Sequence, residues 1–297
     1  MKDISSTASF VDFTLENLIY VDKTEYIPKL VKLKRVFISR PRRFGKSLTL
    51  DTIGTLFEKG VEPYFKDTWI YDKWTEPTYP VFRLSFLNLD NSSLDLFKKQ
   101  LNSIISEFAN KINVKGYVEK TEPEDSILSL LEKLEEETRQ IVILIDEYDY
   151  QLTSNINNEA LYKQFQQKIK RFYANIKDKF AIKFLGITGV TRLKDVEIFS
   201  IGSDINDITN CSPYSQMIGF TRDEIKKYYI DYLKLAASYE NNCTVDNVTE
   251  AQIESLLDRL AKNYDGYCFD EFYKKKVFST WSVNKFFQSV VSNKFVY

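Results

Sequence analysis

Histidine does not occur anywhere in the 297 residues, and cysteine occurs only as Cys211, Cys243 and Cys268. The first absence excludes Ser-His and Cys-His nucleophilic pairs and every His-ligated metal in this chain. The odd, widely spaced cysteines contain no CxxC pair, which argues against both a zinc site and a disulfide framework. Chemistry performed here must use carboxylates, lysines, arginines and hydroxyls.

A charge excess is also lacking. Forty-one basic residues face 42 acidic ones, so no global field advertises nucleic acid or an acidic membrane, although a local basic patch stays open. No apolar run approaches the roughly 20 residues that span a bilayer. The start Met1-Lys2-Asp3-Ile4-Ser5-Ser6 has no apolar signal-peptide core. No membrane partner and a cytoplasmic location are therefore expected. Neither an internal repeat nor a low-complexity segment is evident, and the 43% hydrophobic and 28% charged shares suit a globular protein with a sizeable core.

Four short β-branched or aromatic-rich runs follow a mixed first 30 residues: 35–39, 80–86, 141–145 and 180–187. The third is apolar at every position, as a central parallel strand covered on both faces requires. Helical spacing separates the runs, in Leu94, Phe97, Leu101, Ile105 and Phe108 and again in Ile127, Leu130, Leu131 and Leu134. The alternation predicts an α/β fold with a mainly parallel sheet. After about residue 219 the strand signals fade, and 221–238 and 249–263 read as helices, each with a threonine at the N-cap and acids in the first turn. The expected division is a core over 1–218, including the 1–30 segment, and a helical portion over 219–297.

Gly45-Lys46-Ser47 sits between the strand 35–39 and a helical pattern over 48–57. Backbone N–H groups at such a helix start aim at an anion. Gly45 lets the backbone approach phosphate, Lys46 reaches β- and γ-phosphates, and the Ser47 hydroxyl can ligate Mg²⁺. The segment Arg40, Pro41, Arg42, Arg43, Phe44, Gly45, Lys46, Ser47 and Leu48 is thus the candidate cradle. The usual GxxxxGK[ST] pattern would put glycine where this chain has Arg40, at a cost in φ > 0 freedom that a stiffening Pro41 would offset. The bland alternative is a basic loop with an accidental GKS.

Strand 141–145 ends in Asp146 and Glu147, about 100 residues beyond the loop, with one strand candidate between. Carboxylates at a strand's C-terminal end lie in the ligand crevice of open α/β sheets. Asp146 is the candidate Mg²⁺ holder and Glu147 the group that polarises an attacking water, with Asp149 in support. An acidic turn leaving a buried strand is the alternative. At the end of the fourth run, Thr188 or Thr191 is a candidate γ-phosphate sensor, and Arg192 could touch phosphate or a neighbour's nucleotide, if it is not simply solvated.

Tyr20-Val21-Asp22-Lys23-Thr24, RPRRFGKS at 40–47, LIDEYD at 144–149 and ITGVTR at 187–192 with Ile198-Phe199-Ser200 resemble the predicted AAA-ATPase-like family. Tyr79-Pro80-Val81, Ile218 to Thr221, Tyr264 to Tyr267 and the Phe278 to Phe287 stretch extend the likeness along nearly the whole chain. The family's own loop reads RPRRFGK without the first glycine. The resemblance implies phosphate and Mg²⁺ roles for Lys46, Ser47, Asp146 and Glu147, an AAA-like strand order with the loop strand central, and a helical lid. It favours ATP over GTP and lets Tyr20 to Thr24 contribute to an adenine pocket. Family members often carry a C-terminal PD-(D/E)XK nuclease domain. Asp270 to Lys276 has the residue types but not the strand scaffold, so nuclease activity is not expected.

The expected activity is Mg²⁺-dependent ATP hydrolysis, with Glu147 positioning water and Lys46 and Arg192 stabilising charge. A nucleotide-dependent switch with little hydrolysis is the alternative. A second copy or another protein is a candidate partner. Nucleic acid, through Lys32, Lys34, Arg35, Arg40, Arg42 and Arg43, ranks below both.

Overall fold

The computed structural model describes residues 1–192, 204–264 and 266–292 of the chain. Five parallel strands form the central sheet: β1 (Arg35–Ser39), β2 (Val81–Ser85), β3 (Ile141–Asp146), β4 (Ile182–Gly189) and β5 (Asn206–Asp207), in the order β2-β3-β4-β1-β5. The fold is the α/β arrangement with a mainly parallel sheet. β4 lies between β1 and β3, and β1 has a partner on each side.

Alternation along the strands explains the three layers. Ile141, Ile143 and Ile145 of β3 and Phe37 of β1 face one side; Val142, Leu144, Val36 and Ile38 face the other. Side chains two apart share a face. The first face is covered by α4 (Leu94–Lys111), α5 (Pro123–Glu136) and α7 (Glu159–Ile176), through residues such as Leu101, Leu130 and Ile169. The second is covered chiefly by α2 (Ile27–Leu33) and α3 (Lys46–Lys59), through Leu30, Ile53, Leu56 and Phe57. Ser93 caps α4 and Asn158 caps α7, each accepting from the backbone two or three residues into its helix.

A third apolar cluster joins the helices Arg222–Tyr228, Ile230–Glu240, Glu250–Tyr264 and Thr280–Val291, and it also takes in Ile19 and Val21 from the N-terminal segment. Thr221 and Glu224 form a reciprocal capping box at the first of these helices. The pattern over 221–238 predicts one helix, but two are present, broken at Tyr229. There the buried ring stacks on Phe287 with centroids 5.0 Å apart, and the hydroxyl donates to Asn284 at 2.6 Å. Packing against a distant helix outweighs local helix propensity. Two strand pieces also escaped the pattern. β5 is two exposed residues long, and a small antiparallel pair, Tyr267–Cys268 with Lys276–Val277, brackets Asp270 to Lys275. Asp270 is buried there, accepting the N–H groups of Phe272, Lys274 and Lys275. It organises a turn.

Among the described residues no helix is long and apolar enough to cross a membrane. Ile198-Phe199-Ser200 and Asp265, which carried part of the family likeness, lie outside the described residues.

Ile143, fully buried on the middle of β3, tests the core assignment. Ile143→Ala should lower the unfolding free energy by about 2–5 kcal/mol, the usual loss for a buried aliphatic truncation, measured by urea denaturation followed by far-UV circular dichroism.

Candidate functional site

Because β4 runs between β1 and β3, the three motif segments leave the sheet side by side at its C-terminal edge. Asp146 links them. Its Oδ2 accepts from the Ser47 hydroxyl at 2.5 Å, its Oδ1 from the Thr188 hydroxyl at 2.5 Å, and Oδ1 also accepts from the Glu147 N–H at 3.0 Å. Thr188 is buried near the C-terminal end of β4, where it pairs with Ile38 of β1. Three oxygen-bearing side chains, those of Ser47, Asp146 and Thr188, thus meet where β1, β3 and β4 end.

Lys46 opens α3 and is buried, and its Nζ donates to the carbonyls of Arg40 at 3.0 Å and Pro41 at 3.1 Å. Burial pushes its pKa down; Asp146, Glu147 and Asp149 oppose that shift. Glu147 moves the other way. Desolvation, then the neighbouring Asp146, hold its carboxyl above the ordinary value, while Lys46 and Arg42 pull it back. The backbone at Glu147 is left-handed, at φ 50°, a conformation that non-glycine residues seldom adopt outside sites where surroundings over-determine it.

Loop geometry differs from the expectation at Arg40. Its φ is not positive, and the left-handed positions of the loop are Arg43, at 68°, and Gly45, at 98°. A glycine is therefore not needed at 40. The Arg40 side chain is buried away from the cradle: Nη1 donates to the Ser39 carbonyl at 2.8 Å and the Thr209 carbonyl at 2.7 Å, and the guanidinium lies 4.0 Å over Phe269. Desolvation lowers its pKa to about 9, against the pull of Asp207. Arg40 anchors the loop to the segment that follows β5 and offers the cradle only its carbonyl. Phe44 is likewise buried, edge-on to Tyr267 and Phe269.

A cavity of about 370 Å³ lies above the loop, within the range of small-ligand sites. Arg42, Arg43, Gly45, Lys46, Ser47, Leu48 and Glu147 line it, with Ser5 to Ala8, Tyr20, Val21, Phe220, Tyr229, Thr280, Trp281 and Asn284 as the facing walls. A smaller apolar cavity of about 60 Å³ shares Tyr20, Val21, Gly45, Leu48, Phe220 and Thr280 with it. Arg40, Pro41, Asp146 and Thr188 line neither cavity, and Phe44 lines only the smaller. Of the N-terminal motif, Tyr20 and Val21 line both cavities, and Lys23 and Thr24 line the smaller one. Asp22 lines neither and accepts the Trp69 and Thr24 N–H groups, while Lys23 is also ion-paired to Glu224 at 2.5 Å.

Asp149 is a tie to β4: its carboxylate accepts Thr191 N–H at 2.6 Å and Val190 N–H at 3.3 Å, while the Tyr148 hydroxyl donates to the Thr191 carbonyl. These bonds place Arg192, which is exposed, immediately after the stapled turn. Gly189 permits the closeness, since a Cβ there would lie 2.3 Å from the Tyr148 ring and 2.7 Å from Asp149 Oδ1. Sequence reasoning missed Thr280, Trp281 and Asn284. Thr280 contacts the loop from 237 residues away in the chain, and the likeness of the Phe278 to Phe287 stretch was its one signal.

The family described as predicted AAA-ATPase matches residues 5–199, and the chain belongs to it. The chain is also 29% identical, over 247 aligned positions, to the "uncharacterized protein in vnfD 5'region" of Azotobacter chroococcum mcd 1. That match covers 73% of this chain and 45% of the relative, so the chain spans less than half the length of the protein it matches. No solved structure matches the chain.

Two outcomes test this geometry. Gly189→Ala should cost about 1–3 kcal/mol in unfolding free energy, as overpacking does, by forcing Tyr148 off the strand end. Because the folded state favours protonated Glu147, the ionised side chain opposes folding at pH values above its folded-state pKa. Glu147→Gln should therefore raise Tm at pH 8, and the gain should shrink as pH falls into the carboxylate range, in thermal melts across pH 4–8.

Proposed function

We propose that this member of the predicted AAA-ATPase family binds ATP with Mg²⁺ at the loop 40–48 and hydrolyses it. What supports the reading most directly is the bonding of Ser47 and Thr188 to the two oxygens of Asp146, each at 2.5 Å. Three segments far apart in sequence meet at one carboxylate, in the crevice at the strand ends where open α/β sheets bind ligands. The donor set suits a hard cation: Mg²⁺ takes oxygen ligands, uses one or two carboxylates, and completes its shell with substrate phosphate and water. Ser47 and Asp146 would hold it. The family makes ATP the expected nucleotide.

Bound there, ATP and Mg²⁺ supply the γ-phosphoryl group and the charge neutralisation of a displacement by water. Lys46 gives up the carbonyls of Arg40 and Pro41 and directs its ammonium to the β- and γ-phosphates. The N–H groups at the start of α3 point the same way, with Gly45 leaving room for the approach. Glu147 accepts a proton from the attacking water; its raised pKa and its place on the cavity wall fit a general base. Thr188 couples the γ-phosphate position to Asp146. Arg192, exposed beyond the stapled turn, stabilises developing charge in its own site or in that of a second copy. The apolar neighbour cavity, walled by Tyr20, Val21 and Leu48, suits the base.

Measured by calorimetry and by phosphate release, wild type should bind Mg²⁺-ATP and turn it over. Lys46→Ala should weaken binding at least about tenfold, the equivalent of losing one charged hydrogen bond. Glu147→Gln should bind normally and release phosphate about 10²–10⁴-fold more slowly, the span of general-base catalysis. Wild type that binds without turnover would put a nucleotide-dependent switch in place of the ATPase, and absence of binding would remove both.

A further inference from the structure

Helix Thr280–Val291 begins on the phosphate loop. The Thr280 hydroxyl donates to the Arg43 carbonyl at 2.9 Å, and the Trp281 N–H donates to the same carbonyl at 3.3 Å. The Arg43 guanidinium lies 4.3 Å over the Trp281 ring. Both side chains line the 370 Å³ cavity together with Lys46, Ser47 and Glu147. These contacts separate two jobs in one residue. The left-handed backbone of Arg43 turns its carbonyl toward the helix, so that no carbonyl lone pair at this position is aimed at an anion in the loop. Among the described residues its side chain, by contrast, makes no salt bridge, and its guanidinium rests on an aromatic face.

Resting on the nucleotide reading above, we infer that Arg43 exchanges Trp281 for the phosphates when nucleotide binds, and that Thr280 and Trp281 are positioning residues that transmit loop occupancy to the C-terminal helix. A guanidinium over an indole is held by the ring quadrupole. A polyphosphate offers it paired charge-assisted hydrogen bonds, which are stronger and directional. The exchange is therefore downhill whenever a phosphate lies within reach of the cavity wall. Leaving the ring strips Trp281 of its nearer cation, with Lys285 still 5.9 Å from the ring, and the first turn of the helix then holds Arg43 only by the two bonds to its carbonyl. That helix also donates from Asn284 to the Ser5 carbonyl and from Gln288 to the Ile4 carbonyl. The N-terminal strand of chain that walls the cavity is thus attached to the element that responds.

Tryptophan emission of the full chain, titrated with Mg²⁺ and a non-hydrolysable ATP analogue, reads the exchange, with binding followed separately by calorimetry. Subtracting the spectrum of Trp281→Phe isolates Trp281 from Trp69 and Trp74. The expected result is a saturable change in Trp281 emission at the calorimetric affinity. Arg43→Ala should already emit, without nucleotide, like the bound wild type, and should show no further change. Hydrogen exchange over 279–284, measured on wild type with and without the analogue, should differ at the same saturation, and needs no variant to fold. Binding by calorimetry with unchanged emission and exchange would overturn the coupling and leave the ATP reading standing. Failure to bind in calorimetry would overturn the ATP reading and this inference with it.

Discussion

Asp146 accepts hydrogen bonds from Ser47, Thr188 and the Glu147 N–H, and the rest of the site is arranged around that carboxylate. Its position follows from sheet order. With β4 inserted between β1 and β3, the ends of three strands converge within the reach of one side chain. Among the described residues the carboxylate is paired to no arginine. Its partners are hydroxyls and a backbone N–H, which satisfy its lone pairs without cancelling its charge, and that leaves it able to take a cation.

A similar economy holds the loop. Lys46 is buried on the carbonyls of Arg40 and Pro41, so the ammonium is satisfied while the cradle is open, and the same carbonyls fix the loop's curvature. Arg40 and Phe44 point inward, to Thr209 just beyond β5 and to the small strand pair near Tyr267. Arg42 and Arg43 point into the cavity. A chain of three arginines thus divides by direction: one braces the loop and two line the ligand side. Opposite them, the start of the last helix and the first residues of the chain close the wall. The helix and the loop are held by bonds to one carbonyl, that of Arg43.

Much of this was legible beforehand. β1 matches the predicted run, and the other three long strands depart from theirs by at most two residues. Val, Ile and Phe alternating or running unbroken between polar breaks signal a pleated surface buried on one or both faces. The helices over 94–111 and 250–264 follow from equally strong periodicity. Where prediction departed, the cause was non-local. The kink at Tyr229 comes from Phe287 and Asn284, and β5 is recognisable only by its bonds to β1. Asp149, read as a support for the metal site, is spent on the backbone of Val190 and Thr191. Arg40, read as part of the cradle, is spent on Thr209.

By itself, the sequence determined the α/β class, the strand and helix that flank the loop, and the chemistry at hand, because these depend on local periodicity, turn residues and side-chain type. The lack of histidine alone confined that chemistry to carboxylates, hydroxyls, lysine and arginine. The tertiary structure decided which of those groups meet. Strand order brought Ser47, Asp146 and Thr188 together, burial separated the roles of Arg40 and Arg43, and packing seated Thr280 and Trp281 on the loop. Such pairings join residues 40 to 240 positions apart. No local pattern specifies them, because their energy comes from burial and bonding that exist only once the sheet has formed and the helices have closed over it.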